Sequence, residues 1–76
     1  MMDGRLKETI ADELNVDPAE LNADTVLTSL ELWDSVMVLS IMVILSESLG
    51  QEILPGEMVR LKTFGDLEWL VASKRS

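Results

Sequence analysis

Leu6, Ile10 and Leu14 recur at every fourth position, and Lys7, Glu8, Asp12 and Glu13 cover the remaining circumference. This spacing predicts an amphipathic helix that starts with Asp3 as N-cap and runs to about Leu14. Asp17-Pro18-Ala19-Glu20 then combines an N-cap residue, a proline at the first helical position and a capping-box glutamate. One helical turn is expected there, too short to be independent. From Asn22 to Asp34 the periodicity lapses, and Val26, Leu27, Leu30 and Leu32 sit among threonines, serine and acids. The segment reads as a long connection tacked down by apolar contacts, and a loop this long in a small domain is usually functional.

The strongest helical pattern runs from Ser35 to about Leu49. Val38, Ile41, Met42, Leu45 and Leu49 are spaced as one buried stripe, and Gly50 is placed to end the helix as a C-cap. A short helix is expected after Pro55, with Glu57 in its first turn and Met58 and Leu61 facing inward. Thr63-Phe64-Gly65-Asp66 forms a second capping box. It opens a last helix that buries Phe64, Leu67, Leu70 and Val71 and closes with Lys74 and Arg75, charges suited to a helix C-terminus. The predicted fold is all-α: a small bundle of three main helices, a short helix before the last one, and a long loop between the first and second.

Composition narrows the picture. In 76 residues there is room for one domain, residues 1–76. With 47% hydrophobic but only 4% aromatic residues, the core must come from aliphatic side chains and the five methionines, which suits helix packing. No cysteine and no histidine is present, which removes disulfides, the usual zinc sites, a cysteine nucleophile and a histidine base. Fourteen carboxylates ensure that some pair lies close, yet no metal-ligand spacing or phosphate loop accompanies them, so the chain is not read as an enzyme. The N-terminus lacks the apolar core of a secretory signal, and Val36 to Leu45, the longest apolar stretch, is too short to span a bilayer. The expectation is a soluble, cytoplasmic monomer. The net charge is −8, and from Glu8 to Glu57 there are eleven acidic side chains and no basic one. Such a surface disfavours nucleic acid and anionic membrane and favours partners with basic patches; solubility alone explains it equally well.

Candidate chemistry lies in Leu30-Glu31-Leu32-Trp33-Asp34-Ser35-Val36, where an irregular loop delivers an Asp-Ser pair to the start of the most apolar helix. Taken alone, the pair is explained by N-capping. Its setting resembles the acyl carrier protein family, and the likeness covers nearly the whole chain. It takes in the first helix, the long loop, Asp34-Ser35, the Glu47-Ser48-Leu49-Gly50-Gln51-Glu52-Ile53 end of the second helix, the small helix after Pro55, and Lys62-Thr63-Phe64-Gly65-Asp66-Leu67 opening the last. The resemblance implies a 4′-phosphopantetheine arm, derived from coenzyme A, on Ser35. It also implies a phosphopantetheinyl transferase that installs the arm, and ligases, synthases or transferases that load and process acyl or aminoacyl thioesters.

For Asp34 two roles stay open: orienting the transferase or its metal, as the resemblance implies, or capping the helix together with Ser35. Trp33 either packs the loop onto the core or meets partner enzymes. Acyl carriers of fatty acid synthesis usually show several acids on the second helix, whereas this one offers Ser40, Ser46, Ser48 and only Glu47. Val36, Met37, Leu39, Val43 and Ile44 remain once the core stripe is assigned. A helix apolar over so much of its circumference lies deep or presents a docking surface, and one helix of a small bundle cannot be buried all round. Docking is therefore expected at Val36, Met37 and Leu39, with Trp33, Met58 and Leu61 as further partner-facing candidates. Such a carrier would serve a dedicated polyketide, peptide or aminoacyl pathway more readily than housekeeping fatty acid synthesis. The alternative is a cofactor-free helical module that binds a partner groove through the same apolar helix.

Overall fold

In a computed structural model that describes residues 4–75, the four-residue periodicity becomes α1, Gly4–Leu14. Leu6, Ile10 and Leu14 are buried as expected, and Ala11 joins them because a core stripe is wider than a single row of residues. Asp3, the expected N-cap, lies outside the described residues. The helix stops at Asn15, whose φ of 56° is left-handed, with Val16 N–H donating to the Ala11 carbonyl at 2.9 Å and Asn15 N–H to that of Asp12 at 3.1 Å. These two bonds satisfy carbonyls that the helix end would otherwise orphan. Asp17 then caps the 3-10 turn Pro18–Glu20 through a 2.9 Å bond from Ala19 N–H.

Helix α2, Ser35–Leu49, buries Ile41 and Leu45 completely, with Val38, Met42 and Leu49 half-buried against the core. Gly50 ends it at φ 65°, a left-handed cap that glycine adopts without strain. Ser46 is structural as well as polar: its hydroxyl donates to the Met42 carbonyl at 2.8 Å and accepts from Ile53 N–H at 3.2 Å, drawing buried Ile53 onto the bundle. Helix α3, Pro55–Met58, is a single turn started by Glu57, whose carboxylate accepts from Leu54 N–H at 3.1 Å and pairs with Lys74 Nζ at 2.9 Å. Helix α4, Phe64–Arg75, buries Phe64, Leu67, Leu70 and Val71, and its capping box closes both ways: Asp66 N–H donates to Thr63 Oγ1 at 3.2 Å while Asp66 Oδ2 accepts from Thr63 N–H at 3.1 Å and Lys62 N–H at 2.9 Å. Among the described residues the elements are these four helices and two 3-10 turns, so the small helical bundle expected from the sequence is the fold.

The long connection is ordered by backbone pairing. Leu27 N–H donates to the Lys62 carbonyl and Phe64 N–H to the Thr25 carbonyl, both at 2.8 Å, which sets Val26 against Thr63 as one antiparallel bridge. Gly65 N–H adds a third bond, to the Ala23 carbonyl at 3.1 Å. Within the loop, Thr25 Oγ1 donates to the Glu20 carbonyl at 2.8 Å and accepts from Asn22 N–H at 3.0 Å. Leu21 and Leu27 are fully buried and Leu30 half-buried, whereas Val26 and Leu32 remain exposed, so only part of the loop's apolar set anchors it.

Two predictions follow from the clasp and the caps. A Cβ at Gly65 would lie 2.8 Å from the Ala23 carbonyl oxygen, so Gly65→Ala must push loop and helix apart; urea unfolding is expected to show a loss of about 1–3 kcal/mol. Gly56→Ala, where nothing lies within 4 Å, should be neutral or stabilising in the same assay. The N–H groups of Lys62 and Thr63 hold the Asp66 carboxyl below its ordinary pKa, and Lys74, then Leu54 N–H, do the same for Glu57. Both groups therefore contribute stability that is present above the unfolded-state carboxyl pKa and lost as pH falls through their lowered folded values. Thermal melts should weaken along that acid limb, and Asp66→Asn should flatten it.

Candidate functional site

The clasped loop hands the chain to α2 through two turns, with Leu30 N–H on the Leu27 carbonyl at 3.0 Å and Trp33 N–H on the Leu30 carbonyl at 3.1 Å. Trp33 is half-buried and packs against the core, so it fastens the last step of the loop. Asp34 follows in extended conformation, φ −135° and ψ −175°, and is the N-cap of α2. Its Oδ1 accepts from Met37 N–H at 2.8 Å and its carbonyl accepts from Val38 N–H at 2.9 Å, the first rung of the helix.

Capping together with Ser35 was one of the two roles open for Asp34; Asp34 alone performs the cap, and Ser35 is the first helical residue. Ser35 is exposed, and its hydroxyl engages no other described residue. Because Asp34 and its carbonyl take the N–H groups of Met37 and Val38, those of Ser35 and Val36 are left without an acceptor among the described residues. An exposed hydroxyl beside open amides at the positive end of a helix dipole suits an anchored phosphodiester: the oxygen is reachable, and the anion it would bear meets N–H donors. No basic side chain occurs from Glu8 to Glu57, so the sequence neighbours of Ser35 supply no cationic group and the positive end of the helix itself comes from these backbone amides.

At 100° per residue, Val36, Leu39 and Val43 share the side of α2 opposite Ile41 and Leu45. They are 73%, 52% and 53% exposed, which makes an apolar stripe beginning one residue after Ser35, with exposed Glu47 farther along the same side. Two of the three residues expected to dock, Val36 and Leu39, therefore stand at the surface. Met37 is half-buried against the core and so is Ile44. Val43 belongs with the exposed set, and the signal for it was the helical step from Val36 and Leu39. Met58 and Leu61 were expected both to face inward and to meet partners. They are 1% and 7% exposed and belong to the core, so neither projects toward a partner as Val36 and Leu39 do. The outward residue of that segment is Val59, at 77% exposure, which the sequence reading passed over.

Removing the cap should be measurable. Asp34→Ala is expected to cost about 1 kcal/mol in chemical denaturation, since the Met37 N–H loses its acceptor, while Asp34→Asn, still an able cap, should cost much less.

The family model described as phosphopantetheine attachment site matches residues 4–70, which includes every element from α1 into α4. No match to the chain is found among curated proteins.

Proposed function

Because the chain belongs to the phosphopantetheine attachment family, whose members take 4′-phosphopantetheine covalently, we propose that Ser35 is the attachment point and that the protein carries acyl or aminoacyl groups between separate enzymes. The observation that carries this reading is the pairing of an exposed, unengaged Ser35 hydroxyl with two open amides at the start of α2.

When bound, the arm supplies a terminal thiol on which cargo rides as a thioester. What the protein contributes is anchorage and presentation. In the transfer from coenzyme A, Ser35 Oγ forms a bond to the pantetheine-bearing phosphorus as the pyrophosphate P–O bond breaks, adenosine 3′,5′-bisphosphate leaves, and the hydroxyl proton passes to a base supplied by the transferase. Asp34 holds the helix start in shape through Met37 N–H on Oδ1, which leaves Oδ2 of this exposed carboxylate available to a transferase. Fixing the first turn this way keeps the phosphodiester beside the amides and leaves the rest of the arm to move.

Partner choice falls to the residues next to the anchor. Val36 and Leu39, joined by Val43 and bordered by half-buried Met37, give an apolar landing surface where acids would steer a basic partner. Partners recognised by apolar contact favour a dedicated polyketide, peptide or aminoacyl pathway. Its members would be a phosphopantetheinyl transferase, a loading ligase and a processing synthase or transferase. The apolar second helix that motivated a cofactor-free interaction module is accounted for by this surface.

Incubation with coenzyme A and a broad-specificity phosphopantetheinyl transferase, followed by intact-mass measurement, is the test. A gain equal to one phosphopantetheine group is expected for the natural chain and none for Ser35→Ala. An unchanged mass beside a fully modified control carrier would sink the carrier reading, and a gain that survives Ser35→Ala would move the site elsewhere.

A further inference from the structure

Remote in sequence from Ser35, α3 and α4 enclose a surface groove of roughly 480 Å³. Leu61 and Leu70, both nearly buried, form its floor, and Trp69 stands in its wall with 70% of its surface exposed. Phe64, Leu67, Leu70 and Val71 already supply the buried face of α4, so Trp69 adds nothing to the core. Neither Ser35 nor Val36, Leu39 or Val43 lines this groove, which makes it a surface separate from the one beside the anchor.

Charge indicates what fits it. Of the two carboxylates lining the groove, Glu57 is held by Lys74 and Leu54 N–H, and Asp66 by the Lys62 and Thr63 amides. Lys74 is thereby matched. Arg60 lies near enough to Glu57 to favour its ionised form, yet makes no ion pair within 4 Å among the described residues, so its guanidinium is the uncommitted charge at the groove. On the larger scale, residues 1–56 hold eleven acids against two bases, while residues 57–76 hold three acids against four bases. An acidic segment is thus repelled over most of the chain and admitted only at this end.

We propose that the groove docks a segment of a partner protein in which an apolar side chain seats against Trp69 and Leu70 and a neighbouring carboxylate pairs with Arg60. Tryptophan and arginine over an apolar floor are the side chains that most often dominate protein interfaces, and the guanidinium fork matches a carboxylate. The groove's lining uses none of Ser35, Val36, Leu39 or Val43, so retention of the protein through it does not draw on the residues that present the anchor. The surface does not depend on modification of Ser35, and its test is independent of that reading.

The probes are three short synthetic peptides with the same leucine anchor, flanked by glutamate, glutamine or lysine, titrated into the full-length isotope-labelled chain and followed by NMR. The glutamate peptide is expected to shift the Trp69 indole N–H and the Arg60 amide, and to bind roughly tenfold more tightly than the lysine peptide, a difference of about 1.4 kcal/mol. Arg60→Glu should reverse that order, and Trp69→Ala should abolish binding while circular dichroism shows an intact fold. The proposal is overturned if no peptide shifts Trp69, if all three bind alike, or if the shifts gather at Val36, Leu39 and Val43. Sedimentation showing self-association that Trp69→Ala removes would assign the groove to a second copy of the chain and overturn it equally.

Discussion

Three backbone hydrogen bonds, from Leu27 to Lys62, Phe64 to Thr25 and Gly65 to Ala23, tie the middle of the loop to the turn that opens α4. Without them residues 15–34 would be a tether held only by its apolar anchors, Leu21, Leu27, Leu30 and Trp33, with no backbone pairing to set its register. With them the loop becomes a strap whose far end is stationed beside the bundle. The clasp also explains why α4 begins where it does: the same turn that pairs with the loop is closed by the Thr63–Asp66 capping box, so one short stretch satisfies amides on two sides. Gly65 is required at the meeting point because the loop backbone passes where a side chain would be.

From that framework follows a division of labour around α2. Its inner side spends Ile41 and Leu45 on the core, its N-terminal turn spends Asp34 on the cap, and what remains is an exposed serine, open amides and an apolar outer stripe. Leaving Val36 and Leu39 in water forgoes burial that is worth about 1.5–3 kcal/mol for a fully buried aliphatic side chain. That stabilisation is available to a partner instead, reduced by the cost of association, so contacts of this kind suit brief encounters better than permanent complexes. A carrier visiting several enzymes needs encounters that end.

Much of this was legible because it is local. The α1, α2 and α4 stripes announce themselves by spacing, and the caps at Asp17, at Thr63 with Asp66 and at Gly50 are written in residue types whose chemistry acts within a turn. The clasp left no such trace, because it joins backbone groups of Ala23, Thr25, Leu27 and Lys62 across some forty residues without any side-chain periodicity. Leu21 and Ile53 are buried for the same non-local reasons, from segments with no helical pattern. At the site, the sequence showed that Asp34 and Ser35 could both cap, and only the geometry assigned the bond to Asp34 and left the serine free. Met58 and Leu61 illustrate the converse: their inward spacing was the informative signal, and their apolar chemistry alone did not make them surface.

The central claim is that Ser35 is displayed on a preformed framework, so that attachment of the arm changes the anchor and not the fold. Residue-resolved amide hydrogen exchange on the unmodified and modified chain tests this directly. The account predicts that Leu27, Phe64 and Gly65 are protected to the level of core helix amides in both forms, and that Ser35 and Val36 exchange freely before modification and gain protection after it. Clasp amides that exchange as fast as Ser35, or that become protected only once the arm is in place, would contradict it.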